Sequence, residues 1–326
     1  MDILDISRRT FFLALNTGYV EGGTPDRRMV DFYGSRSSAG LSCAIVGNVV
    51  IPGGHGSNSV SPMISRQPIW RELAAAISER GTLPGIQLAT AWQGYTGTKS
   101  FRAKTWSETI ERSRALAAAV TPSHLENLFA TLREGTEMAL EAGFAHVQLH
   151  AAHGYLFSLL IDERLYEGAG ETLSLISRWG RQSRQMGMET SLRISLRTGD
   201  AMFDAVGALE FQDRACTAQV DLIDVSSGFY NVDKRLIYPS VDPILLDRWR
   251  ETIAVAQRHP ASHFILSGKA FRLADGLPEN VHLGLCRDLI ANPKFLSNPS
   301  RGCVNSGKCH YHSRGAPNVE CPRWLN

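Results

Sequence analysis

Eight short runs rich in Val, Ile, Leu and Phe punctuate the chain, at 10–15, 41–47, 85–89, 145–150, 190–195, 221–225, 263–267 and 280–285. Each closes near a Gly, Ser, Asn or His. Runs of this length and composition suit strands buried on both faces, and most pairs of them enclose an amphipathic helix. The best helix signal begins at Ser123, where Ser-His-Leu-Glu reads as a capping box with Glu126. Leu125, Leu128, Phe129 and Leu132 then recur at helical spacing, and Gly143 supplies a stop before the next strand. Strand and helix alternating eight times predict a (β/α)8 TIM barrel. An open doubly wound sheet is the rival architecture, but no G-x-G-x-x-G follows the first strand. No Ser/Gly-rich linker or charge block divides the 326 residues, so the expectation is one barrel domain over 1–326 whose last stretch, 301–326, is a Cys/His-containing tail.

Charge narrows the partners. The 34 basic side chains exceed the 32 acidic ones by only two, which does not favour nucleic acid as a ligand. The start, MDILDISRRTFFLALNTG, has neither the shape of a secretory leader nor the length of a membrane span, so a cytoplasmic protein without a membrane partner is expected. Six cysteines do not make a disulfide framework here. Cys43, Cys216 and Cys286 sit in apolar stretches and read as buried thiols, while Cys303, Cys309 and Cys321 crowd the tail beside His310 and His312.

In a barrel of this kind, chemistry collects at the C-terminal strand ends. There the polar residues fall: Asn16 and Thr17, Asn48, Gln87, His150, Arg193, Ser226 and Ser267. The densest group is Val147-Gln148-Leu149-His150-Ala151-Ala152-His153-Gly154-Tyr155-Leu156. Two imidazoles can donate hydrogen bonds to one carbonyl oxygen, and a neighbouring phenol can deliver a proton. Read instead as half a metal site, H-x-x-H would need a third ligand, and no acidic partner motif lies beside it.

The run H-A-A-H-G-Y-L, preceded by E-A-G-F-A-H-V-Q-L, resembles the signature of the old yellow enzyme family of FMN-dependent ene-reductases. The resemblance implies that His150 and His153 bind the substrate carbonyl and that Tyr155 protonates the α-carbon. It extends over nearly the whole chain. A-L-N-T is similar to the family's first strand end, placing Leu15, where Pro is usual, and Thr17 at the flavin. I-V-G-N-V-V puts Gly47 under the ring, G-I-Q-L puts Gln87 at its pyrimidine edge, and L-R-I-S puts Arg193 at the N1–O2 side. Ser267, Gly268 and Lys269 after the seventh strand, with Cys286 and Arg287 after the eighth, resemble the two phosphate-binding turns. Cys286 replaces the usual Gly.

Other stretches depart from the family. The loop after Leu160 is reduced to I-D-E-R-L-Y-E-G-A-G-E-T, the segment from Lys269 to Asn280 has room for barely two helical turns, and Trp92 stands where the family carries polar groups. Cys303, Cys309 and Cys321 keep the spacing of an iron–sulfur tail with Ser306 in place of the fourth thiol, so no bound metal is expected. The implied activity is reduction of the C=C bond of an α,β-unsaturated carbonyl compound, with FMN as cofactor and NADH or NADPH as reductant. The alternatives are a trimmed family member with a non-redox isomerase or binding role, and an unrelated phosphate-binding barrel. The sequence leaves the substrate, the choice of nicotinamide and the oligomeric state open.

Overall fold

The computed structural model describes residues 8–38, 40–95, 97 and 105–325; the first seven residues of the amino-terminal stretch lie outside them. Its eight main strands are β1 (Thr10–Phe12), β2 (Cys43–Val50), β3 (Leu83–Ala89), β4 (His146–Ala151), β5 (Glu189–Ser195), β6 (Leu222–Ser226), β7 (His263–Leu266) and β8 (Val281–Leu285). Each pairs in parallel with the next, and β8 returns to β1, closing the barrel that the alternating pattern predicts. The first strand is shorter than its apolar run because β1 leaves the ladder after Phe12, whereas β2 continues past Gly47 with a register shift between Val46 and Val49.

Helices α1 (Arg27–Arg36), α2 (Ile69–Ser78), α3 (Trp106–Ala118), α4 (Pro122–Glu141), α5 (Leu156–Leu160), α6 (Ala169–Gln185), α7 (Ala201–Asp204), α8 (Ala208–Ala215), α9 (Asp242–Arg258) and α10 (Arg287–Ala291) follow the strands. The start of α4 differs from the reading at Ser123. Thr121 is the cap, its hydroxyl accepting from the His124 amide at 3.2 Å, and Pro122 opens the helix. A proline at that position loses no hydrogen bond and arrives with helical φ, so it overrides the Ser-His-Leu-Glu signal one residue later. The capping box forms instead at Thr105 and Glu108, ahead of α3.

The strands are also less uniformly apolar than their runs suggest. In β4 to β6 the sequence alternates, and the period of two turns His146, Gln148, His150, Ser191, Arg193, Ser195, Asp224 and Ser226 to the inner face. Val147, Leu149, Leu192, Ile194, Ile223 and Val225 face the helices and join the large outer core. Elsewhere the barrel interior is filled by Phe11, Leu13, Cys43, Ile45, Leu222 and Ile265. The tail packs back on the barrel: the Val319 amide donates to the Thr17 carbonyl at 2.8 Å, and Tyr311 donates to Asn16 Oδ1 at 2.8 Å. Among the described residues, no helix is long and apolar enough to cross a membrane.

Candidate active site

Register places the polar belt before any loop does. Gln87 lies opposite Gln148, His150 opposite Arg193, and Arg193 opposite Asp224. Gln87 Nε2 donates to Gln148 Oε1 at 2.6 Å, and Gln148 Nε2 donates to Ser191 Oγ and Asp224 Oδ2. Arg193 pairs with Asp224 at 2.5 Å, both nearly enclosed. Gly47 is required beside this belt, because a Cβ there would stand 2.8 Å from Gln87 Cβ and 3.2 Å from Ala14 Cβ.

Above the belt, β4 ends and the chain turns sharply. His153 takes φ of 65° and Gly154 of 78°. A side chain on Gly154 would meet the Phe229 ring at 2.9 Å, so the turn needs glycine for both reasons. The turn carries the His153 ring to 5.1 Å from that of His150, and the His150 ring lies 5.4 Å from that of Tyr155. His153 is held by its amide donating to Ser195 Oγ at 2.9 Å and by its Nε2 on Ser226 Oγ at 2.7 Å. Burial, with Arg193 nearby, pulls His150 down to about 3; burial and the adjacent His150 hold His153 well below the usual imidazole value. Both rings are therefore neutral at pH 7, each with one N–H to donate. Burial, with Tyr230 and Tyr95 alongside, pushes Tyr155 well above the usual phenol range, so it keeps its proton; Ser57 and Tyr95 hydrogen-bond it.

The remaining expected residues are scattered around the same mouth. Leu15 offers its carbonyl to Tyr33 at 3.2 Å and bridges Gly47. The Thr17 hydroxyl is turned to its own Tyr19 amide at 3.2 Å. Ser267 Oγ donates to the Val225 carbonyl, and the Gly268 carbonyl accepts from Trp249. Lys269 reaches the Cys303 carbonyl at 3.4 Å, and Arg287 reaches the Pro239 carbonyl and Asn305 Oδ1. Cys43 and Cys216 are buried, but Cys286 is only half-buried, because it stands at the start of α10 rather than inside a strand. Among the described residues, Cys303, Cys309 and Cys321 are not brought into a group of three or more ligands able to hold a metal.

Several residues of this mouth escaped the sequence reading. Asp224 was detectable by alternation in Leu-Ile-Asp-Val-Ser. Tyr230, whose ring lies 5.7 Å from His153 and 5.6 Å from Tyr155, comes from an irregular loop that carries no periodic signal. Its phenol bonds that of Tyr238, whose ring in turn lies tilted against that of His310, 4.1 Å between centroids. Trp92 does pack into the region, 4.7 Å from Tyr95. Among the described residues, the buried polar side-chain atoms without a hydrogen-bond partner fall mostly here: His150 Nδ1, Asp224 Oδ1, Ser227 Oγ, Asn231 Oδ1 and Arg248 Nε. Buried polar atoms are nearly always paired in folded proteins, so this concentration marks a place built to meet a ligand.

No family model matches the chain. It is 22% identical over 323 residues to an NADH-dependent flavin oxidoreductase of Aspergillus parasiticus, covering 86% of this chain and 70% of that protein. It is 27% identical over 243 residues to an NADPH dehydrogenase of Geobacillus sp., covering 68% and 67%. An Old Yellow Enzyme from Pichia sp. AKU4542 superposes with a TM-score of 0.64 over 90% of this chain and 82% of that one, at 16% identity. In sequence and in fold the chain is similar to flavin oxidoreductases and to an Old Yellow Enzyme. A second superposition, on 2-naphthoyl-CoA reductase in complex with 2-naphthoyl-CoA, has a TM-score of 0.72 at 13% identity and covers 96% of this chain. The chain spans about half the length of that reductase, 54%.

Proposed function

We propose that the chain is an FMN-dependent NAD(P)H oxidoreductase that reduces the C=C bond of a small α,β-unsaturated carbonyl compound in the cytoplasm. The observation that carries this reading is the convergence of His150, His153 and Tyr155 at one strand end, all three enclosed and each in the protonation state the chemistry needs. The residues present fit FMN. Gly47 leaves the ends of β1 to β3 closely packed, Gln87 and Arg193 lie in the belt below the histidines, and Lys269 and Arg287 provide cations at the ends of β7 and β8. When bound, FMN supplies to the β-carbon a hydride first taken from NADH or NADPH.

The protein's share is positioning and proton supply. One N–H from His150 and one from His153 meet the carbonyl oxygen, drawing electron density from the β-carbon and stabilising the developing negative charge. Ser195 and Ser226 fix the His153 ring, so this donor requires no reorganisation. Tyr155 releases its phenolic proton to the α-carbon, with Ser57 and Tyr95 holding the hydroxyl in place.

The test is visible spectroscopy of the purified protein with FMN, first with NADH or NADPH under anaerobic conditions and then with cyclohexenone. Tyr155→Phe is expected to slow reoxidation by the enone about 100-fold or more while leaving flavin reduction by the nicotinamide intact. Equal losses in the two half-reactions would remove Tyr155 from its role. A chain that binds no FMN would favour the non-redox reading, which draws support from Tyr95 and Tyr230 packing directly on Tyr155.

A further inference from the structure

A row of rings borders the two buried histidines. From Trp92 through Tyr95, Tyr155, Tyr230 and Tyr238 to His310, successive centroids lie 4.7, 5.8, 5.6, 5.8 and 4.1 Å apart. These residues come from the loops after β3, β4 and β6 and from the tail, so only the closed barrel brings them together. Among the described residues, neither packed apolar cluster includes Tyr95, Tyr155, Tyr230 or Tyr238. The four phenols border the mouth of the barrel and take no part in filling its interior.

Tyr230 is the most firmly placed of them. Its amide donates to the His153 carbonyl at 3.1 Å, and its phenol is tied to that of Tyr238. The preceding Phe229 covers Gly154 and donates its amide to the Thr198 carbonyl at 2.8 Å. The Tyr230 ring thus keeps a set place beside the His153 imidazole, 5.7 Å between centroids. A wall ordered before the ligand arrives costs little to organise on binding.

With a ketone oxygen on His150 and His153 and the α-carbon at Tyr155, whatever the β-carbon carries is directed among the rings that touch Tyr155, namely Tyr95 and Tyr230. Aromatic edges and faces attract another ring beyond the area they bury, by about 2- to 12-fold in affinity for each well-placed pair. A quaternary ammonium group would also suit a cluster of rings. The charges acting on the row are cationic, however: Arg193 on Tyr230, and Arg287, Lys234 and Arg314 on His310. They repel a cation and leave an uncharged ring as the better occupant.

We propose that the ligand is an aryl ketone whose ring is held by Tyr230 and Tyr95. In the ene-reductase reading, on which its placement rests, it is an enone with the aryl ring on the β-carbon.

Benzylacetone and its ring-hydrogenated analogue carry the same ketone arm and differ only in whether the ring is aromatic. Burial alone favours the hydrogenated ring, which presents more apolar surface. Calorimetric titration of the full chain with FMN added is expected to show benzylacetone bound about 10-fold more tightly, the product of two aromatic pairs. Tyr230→Leu should cut that ratio to about 3-fold or less, and Tyr230→Phe, which keeps the ring, should preserve it. Tyr95→Leu is judged by the same ratio if Tyr230→Leu does not fold. Equal affinities in wild type, no binding of either ketone, or a ratio that the leucine variant leaves unchanged overturns the proposal.

Cyclohexenone separates this outcome from failure of the redox reading. Reoxidation of the NADPH-reduced flavin by cyclohexenone, without an aryl preference in binding, overturns the aryl proposal alone. An aryl preference in a chain whose flavin no enone reoxidises upholds recognition of the aryl ketone and removes the ene-reductase reading.

Discussion

Replacing Asp224 by Asn tests whether the belt beneath the histidines is held by charge. The Asp224 side chain is fully enclosed and that of Arg193 is 10% exposed, with 2.5 Å between their charged atoms. At an effective dielectric near 20, that separation corresponds to a gross attraction of about 6 to 7 kcal/mol, most of it offset by the cost of desolvating both groups. Removing one partner recovers none of that cost for the other. Arg193 would remain enclosed beside Arg248, and an amide that keeps its oxygen toward Arg193 and Gln148, which both donate to Asp224 Oδ2, puts two buried N–H groups without an acceptor where Oδ1 stood. The expected destabilisation is about 3 to 5 kcal/mol. For a chain of this length it should lower the melting temperature by about 4 to 7 °C, followed by circular dichroism at pH 7. Adding Arg193→Met removes the stranded charge, so the double variant should recover part of the loss. An Asp224→Asn protein that melts within about 1 °C of wild type, or losses that simply add in the double variant, would refute the reasoning.

Two further outcomes follow from the barrel itself. Gly47→Ala places a Cβ 2.8 Å from Gln87 Cβ, so β2 and β3 must part; a loss of about 1 to 3 kcal/mol in urea unfolding is expected, together with weaker FMN binding, and unchanged stability would show that the strands yield freely. At the opposite end, hydrogen bonds from His146 and Arg9 overcome the upward pull of burial and hold the Glu189 carboxyl down to about 2, from an ordinary 4.5. A carboxylate depressed in this way contributes stability above pH 4.5 that is lost as pH falls toward 2. The contribution is up to about 3 kcal/mol, less for the quarter of the side chain left exposed, and Glu189→Gln should flatten the pH dependence of urea unfolding across that window.

The barrel was legible in the chain, and so was the clustering of His150, His153 and Tyr155 at one strand end, because both depend on local order. Buried strands need short apolar runs, helices need a stripe every three or four residues, and a motif such as His150-Ala151-Ala152-His153-Gly154-Tyr155 keeps its members within one turn of one another. Proline at 122 corrected the cap of α4 for an equally local reason. What closure alone settled is which side chains meet across strands distant in sequence. Asp224 became the partner of Arg193 through parallel register, and Arg248 reached Ser267 from a helix outside the barrel. Tyr230 came over His153 on a loop without a repeating pattern. Period states which way a residue points, but the charge balance of an enclosed site depends on every group that shares it, and only the closed ring of strands brings those groups within a few ångströms.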